Sequence, residues 1–149
     1  MKKFRGFTLI ELLVVISIIS VLATIGITSF QSVGAKARDS QRKNDLRSLS
    51  QALEIYYQKN SQYIEGVGDC ADTTAFYSLI TPFMKGGTVP KDPVSQSNYC
   101  YQSVGNGTSF RLYAKLENCS DPEIIGACSN QYNFSVTSPN LIAIPYSGL

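Results

Sequence analysis

The sequence predicts an α+β chain: a long N-terminal α-helix, apolar in its first half and amphipathic in its second, packed on a small antiparallel sheet of about four strands. Three observations predict it. Residues 7–30 form an apolar run with a single charge, Glu11. Leu46, Leu49, Leu53 and Tyr56 recur at i, i+3, i+7 and i+10, which places them on one helix face. Phe110, Leu112, Ala114 and Leu116 alternate with Arg111, Tyr113, Lys115 and Glu117, the period of a half-buried strand.

At 149 residues the chain reads as one modest domain, or a small domain plus an appendage. Its 13 Lys and Arg against 11 Asp and Glu give a formal charge of +2, too near neutral for a whole-protein nucleic-acid binder. It has no histidine, which excludes Ser-His-Asp and Cys-His catalysis and His-containing zinc sites. No phosphate loop, nucleophile–base pair or paired catalytic carboxylates stand out, so the composition argues against an enzyme.

The first element is the apolar run. Its 24 residues would measure about 36 Å as a helix, against about 30 Å of hydrocarbon core. A basic leader, Met1-Lys2-Lys3-Phe4-Arg5-Gly6, precedes it. The run is long for a secretory signal, and Ala23-Thr24-Ile25 is a poor cleavage site. A plain membrane anchor leaves Glu11 unexplained, because a carboxylate in an apolar helix costs roughly 2.5–3.5 kcal/mol and marks a functional position by default. The bland alternative is a glutamate near enough to the membrane edge to reach water.

Gly6-Phe7-Thr8-Leu9-Ile10-Glu11, after a basic leader and before a long apolar run, resembles the class III signal of type IV pilins and type II secretion pseudopilins. The resemblance implies that a prepilin peptidase cuts between Gly6 and Phe7 on the cytoplasmic side and that Phe7 is N-methylated. It implies that Thr8 and Glu11 serve assembly and register, Glu11 by pairing with the N-terminal amine of an adjacent subunit. Lone ammonium and carboxylate groups are costly to bury, so such a pair suits a register device more than a source of stability. Losing the leader, with Lys2, Lys3 and Arg5, leaves 143 residues and moves the formal charge from +2 to −1. Many family members carry a helix-bending proline where this chain has Thr28; Gly26, two residues earlier, makes local melting during assembly plausible. Lys36, Arg38, Arg42, Lys43 and Arg47 follow the run, so orientation rests on the leader motif and the cysteines and not on the positive-inside rule.

Residues 35–59 contain no proline and continue the helix, giving a rod of roughly 80 Å that a filament subunit needs and a globule does not. Asp39 and Lys43 stand at i, i+4 as a candidate ion pair. The basic run offers a surface for DNA, anionic lipid or an acidic neighbour; the favoured reading is a solvated face broken by Asp39 and Asp45. Residues 46–57, followed by Asn60-Ser61-Gln62-Tyr63, are similar to the end of pilin and major-pseudopilin helices.

In the head, Gly66-Val67-Gly68-Asp69 reads as a turn, Asp72 or Thr73 as the cap of a short helix over 74–84 kinked at Pro82, and 86–93 as a rigid connector. Pro90-Lys91-Asp92-Pro93 resembles the loop before the sheet in major pseudopilins. Strands are expected at 98–104, 109–117, 132–136 and 141–144, with hairpin chemistry at Gly105-Asn106-Gly107. The organisation is a cleaved leader (1–6), a membrane and filament-core helix (7–30), its amphipathic continuation (31–60) and a head (61–149).

Cys70, Cys100, Cys119 and Cys128 lie 30, 19 and 9 residues apart with no Cys-x-x-Cys, which suits two disulfides in an oxidising compartment. Of three pairings, Cys70–Cys100 with Cys119–Cys128 is preferred; a four-cysteine zinc site is the minor alternative. No cofactor is expected. Some secretion pseudopilins bind calcium, and Asp69, Asp72, Asp92, Asp121 and Glu123 supply oxygens, but without calcium-loop spacing. Three Asn-x-Ser/Thr matches, at Asn106, Asn118 and Asn133, read as turn chemistry.

The resemblance implies a structural pilin of a type IV pilus-like surface filament, in the cytoplasmic membrane before assembly and outside the cell afterwards. Its partners would be further copies of itself, prepilin peptidase, a membrane assembly platform with cytoplasmic ATPases and other minor pilins. The alternatives are a secretion pseudopilin and a permanently anchored extracellular binding or adhesion domain.

Overall fold

A computed structural model describes residues 6–65, 70 and 74–146, with the backbone alone for 25–31. The chain forms two compact units, residues 1–35 and 36–149. One helix, α1 (Leu9–Asn60), contributes to both.

In the first unit, between Leu9 and Leu22, α1 exposes a dense run of large apolar side chains. Three of its hydroxyls are satisfied by its own backbone: Ser17, Ser20 and Thr24 each donate to a carbonyl one turn back, at 2.7 Å. Bonded this way, a hydroxyl can enter an apolar environment without an orphaned donor.

In the second unit the heptad-like face does what its spacing predicts. Leu46, Leu49 and Leu53 are wholly buried, and Tyr56 packs edge-on against Phe83 at 5.2 Å. They meet Phe110 and Leu112, from the inward face of the sheet, and Phe76 from α2 (Thr74–Ile80), which stacks on Tyr101 at 4.1 Å. The sheet is antiparallel in the order β1 (Cys100–Val104), β2 (Ser109–Ala114), β3 (Phe134–Thr137). Leu112 sits opposite both Tyr101 and Val136.

The β1–β2 turn docks on the segment that follows α1. The Tyr63 N–H donates to the Gly107 carbonyl at 2.8 Å, and Gly107, at φ +74°, has no room for a side chain: a Cβ would lie 2.9 Å from the Tyr63 carbonyl oxygen.

Three expectations need correction. The described residues form three strands and not four. After β3 the chain turns, with the Leu141 N–H donating to Ser138 and the Thr137 hydroxyl to the Leu141 carbonyl, and Tyr146 then packs on Tyr113 at 5.4 Å. The 141–144 segment therefore leads across the face of the sheet instead of extending its edge. The short helix stops at Ile80 and Pro82 lies in a 3₁₀ turn, Thr81–Phe83, where its missing N–H costs least. The third strand begins at Phe134 because Asn133 is otherwise engaged: its side chain accepts from the Leu116 N–H at 2.6 Å and donates to the Leu116 carbonyl at 3.0 Å. Residues 66–69 and the caps proposed at Asp72 and Thr73 lie outside the described residues.

Candidate functional site: the head of the helix and its anchorage

Gly6 and Phe7 precede α1 in irregular backbone. Among the described residues nothing lies within 4 Å of where a Gly6 Cβ would stand, and Phe7 is 84% exposed. Lys2, Lys3 and Arg5 lie outside the described residues.

Thr8 and Glu11 meet. The Glu11 carboxylate accepts from the Thr8 N–H at 2.8 Å and the Thr8 hydroxyl at 2.7 Å, while the Glu11 N–H donates to the Thr8 Oγ1 at 3.3 Å. This is a reciprocal capping box, which satisfies donors that the first turn of a helix leaves unpaired. The Thr-x-x-Glu spacing is the sequence signal of this cap, a local role for Glu11 beside the one that the resemblance implies in assembly.

Beyond the cap, twelve large apolar side chains from Phe7 to Leu22 are between 47% and 84% exposed. Fully burying each would contribute about 1.5–3 kcal/mol. Among the described residues no helix is long and apolar enough to cross a membrane; the apolar run of the sequence continues over 25–31, whose side chains are outside the description. Gly26, read as a point of flexibility, lies in that stretch, with helical backbone.

In the second unit, charge anchors α1 to the head. Arg42 is 4% exposed and donates to Asp39 at 2.8 Å, Asp92 at 2.6 Å and Glu117 at 2.7 Å; Arg38 also pairs with Glu117. Asp39, 2% exposed, accepts from the Glu117 and Asn118 N–H groups at 2.9 and 2.8 Å. Asp92 additionally takes the Val94 and Ser95 N–H groups at 2.9 Å each, which shapes the proline-flanked connector. Burial alone would raise the Asp92 pKa, but the guanidinium and these two N–H groups outweigh it and hold the carboxyl well below its usual range. Hydrogen bonds from Arg38, then from Arg42, bring Glu117 down to about 2 against the opposing effect of burial.

The basic run is thus not simply a solvated face: Lys36 and Arg47 are exposed, while Arg42 is enclosed. Asp39 pairs with Arg42 and not, as its spacing suggested, with Lys43, which reaches across to Asp121 at 2.8 Å and Glu123 at 2.5 Å. The head holds both chain-returning loops because each brings a carboxylate to one of these cations.

These pairs also bear on calcium. Asp92, Asp121 and Glu123 are engaged by Arg42 and Lys43, and Asp69 and Asp72 lie outside the described residues, so the described acids do not fit an oxygen cage. The cysteines form Cys70–Cys100 and Cys119–Cys128, the preferred pairing. Among the three Asn-x-Ser/Thr sites, Asn133 is buried and Asn106 lies exposed at the hairpin tip.

A family model described as the prokaryotic N-terminal methylation motif matches residues 1–27, the leader and capped helix start. Type II secretion system core protein G of Escherichia coli K12 is 30% identical over 108 residues, 70% of this chain and 74% of that protein. Its counterpart in Vibrio cholerae is 35% identical over 126 residues, 76% of this chain and 80% of that protein.

The chain belongs to the type IV pilin and pseudopilin family.

A third relative, the type IV major pilin PilA of Myxococcus xanthus, is 39% identical over 59 residues, 40% of this chain but only 27% of that protein. No solved structure matches. Members of this family are structural proteins, and the methylation motif implies processing by a prepilin peptidase. Pilins and pseudopilins are anchored in the membrane and then pass into a filament.

Proposed function

We propose that the chain is a pilin: cut between Gly6 and Phe7, N-methylated at Phe7, and polymerised through the first half of α1 into a type IV pilus-like surface filament. What supports this most is the exposed apolar surface from Phe7 to Leu22, which a bundle of identical helices would cover. In that bundle Glu11 would face the new N-terminal ammonium of a neighbour. The carboxylate would leave a local cap for an intermolecular pair, so a misplaced helix would bury an unpaired charge at a cost of roughly 3–5 kcal/mol. Register follows from that penalty. The chain itself carries out no catalysis in this reading; a membrane platform and cytoplasmic ATPases drive assembly, and other minor pilins join it.

Glu11→Ala tests it. The variant should insert in the membrane and be processed normally, yet give few or no filaments; undiminished piliation would remove the role assigned to Glu11. Intact mass of sheared filaments should correspond to a chain beginning at methylated Phe7 with two disulfides. A chain retaining Met1 in those filaments would overturn the processing.

A second reading, a pseudopilin of a secretion system, is favoured by relatives named core protein G whose similarity extends into the head, those of Escherichia coli and Vibrio cholerae among them. Deleting the chain would then trap secreted proteins in the periplasm while leaving surface fibres unchanged.

A further inference from the structure

Asp39, Asp92, Glu117, Asp121 and Glu123 each answer a cation of α1; Asp45, on the same helix, does not. Its carboxylate accepts from the Tyr99 hydroxyl at 2.7 Å, and among the described residues it forms no ion pair. Burial raises its pKa, the Tyr99 hydroxyl opposes the rise, and the nearby Asp92 charge adds to it. A partly buried charge without a counter-charge calls for one.

Asp45 lines an open groove of about 340 Å³ between α1 and the segment that begins in the 3₁₀ turn. Ser48, Ala52 and Ile55 form the α1 side of it, and Phe83 and Lys85 belong to the other. Lys85 lines the same groove but forms no ion pair with Asp45. Ile55 is 51% exposed, while Ser48 and Ala52 are short enough for a second helix to approach closely. On α1 itself Lys36 and Arg47 are exposed, and neither forms an ion pair among the described residues.

We propose that this groove receives a second copy of the chain, with Lys36 of the neighbour bonded to Asp45. The contact deepens the polymer reading and rests on it. Between parallel rods, a neighbour displaced toward its C-terminal end by the helical rise from residue 36 to residue 45, about 13.5 Å, brings its Lys36 level with Asp45. Its exposed Ala37 and Ser40 then come beside Ser48 and Ala52, short side chains against short ones. The pairing of Glu11 with a neighbour's N-terminal amine needs a displacement in the same sense. Arg47 and Lys59 lie beyond Asp45 along the rod and would need the opposite one. Lys59 is in addition placed over the Phe83 ring of its own chain, at 5.6 Å.

The test treats sheared filaments of the full chain with a zero-length carbodiimide, which joins a lysine amine to a carboxylate in contact with it as an amide. Within one chain Lys36 and Asp45 are about 13.5 Å apart along α1, so an amide between them reports two copies. Wild type should give a dimer on a denaturing gel whose joined peptides hold Lys36 and Asp45. Lys36→Gln should lose that product, as should Asp45→Asn, which keeps an acceptor for the Tyr99 hydroxyl. Lys36→Glu should lower the filament yield at least about threefold, with cleavage after Gly6 unchanged by intact mass. The contact is overturned if wild-type filaments lack the Lys36–Asp45 product, if Asp45 is joined instead to another position or another protein, or if Lys36→Glu assembles as wild type does. A wild type without filaments would overturn the polymer reading and this contact with it, whereas filaments without the product would overturn the contact alone.

Discussion

Asp39 and Arg42 stand one turn apart on α1, are both almost fully enclosed, and are bonded at 2.8 Å. Through them one turn of helix holds two distant segments: Asp39 takes the N–H groups of Glu117 and Asn118, and Arg42 takes Asp92. A buried pair of this kind contributes to specifying how the head sits on the helix more than it adds net stability.

Removing Arg42 should therefore be severe. Arg42→Met would leave Asp39 buried and Asp92 without its cation, a loss of about 3–5 kcal/mol. At about 4–8 °C per kcal/mol the thermal midpoint of the head should fall by more than about 10 °C in a calorimetric scan. Arg42→Lys should recover only part, since one ammonium cannot bond three carboxylates in the plane of a guanidinium.

Acid should loosen the same anchorage. Glu117 and Asp92 have folded pKa values depressed below 4.5 and 3.8, Glu117 to about 2. Their contribution is complete above pH 4.5 and is lost as pH falls through the folded values. Urea midpoints should thus be insensitive to these groups above about pH 5 and decline from there toward pH 2. Glu117→Gln should flatten that decline.

The hairpin turn gives a comparison of two glycines. Gly107 and Gly86 both have positive φ, +74° and +87°, but only Gly107 would press a Cβ against backbone, the Tyr63 carbonyl. Gly86→Ala should cost about 1 kcal/mol from conformation alone. Gly107→Ala should cost distinctly more, since the turn must also retreat from Tyr63, and urea unfolding of the two variants measures the difference.

The two disulfides differ in the length of chain they close, 30 residues for Cys70–Cys100 and 9 for Cys119–Cys128. In the chain-entropy account the longer loop contributes about 1 kcal/mol more. A Cys70→Ser/Cys100→Ser chain should unfold at lower urea than a Cys119→Ser/Cys128→Ser chain. The reverse order would show that the short loop matters through its Lys43 pairs with Asp121 and Glu123.

Local periodicity carried most of the fold in the sequence. The spacing of Leu46, Leu49 and Leu53 and the alternation of Phe110, Leu112 and Ala114 each depend on backbone geometry within a few residues, and both named the buried face correctly. The apolar run and Gly6-Phe7-Thr8-Leu9-Ile10-Glu11 likewise pointed to the family without any tertiary information. The Thr8–Glu11 cap is equally legible at three residues' spacing, because a capping box needs only the first turn of its own helix.

What the sequence determined by itself, then, is each segment's periodicity, the capped start of the helix, and the apolar surface that asks for sister helices. The tertiary structure alone decided that Arg42 is enclosed while Arg47 is not, that Lys43 turns to Asp121, 78 residues away, and that the tail crosses the sheet instead of lengthening it. Such choices depend on where the chain returns, and a guanidinium or an apolar strand has the same local signal whichever surface comes back to meet it.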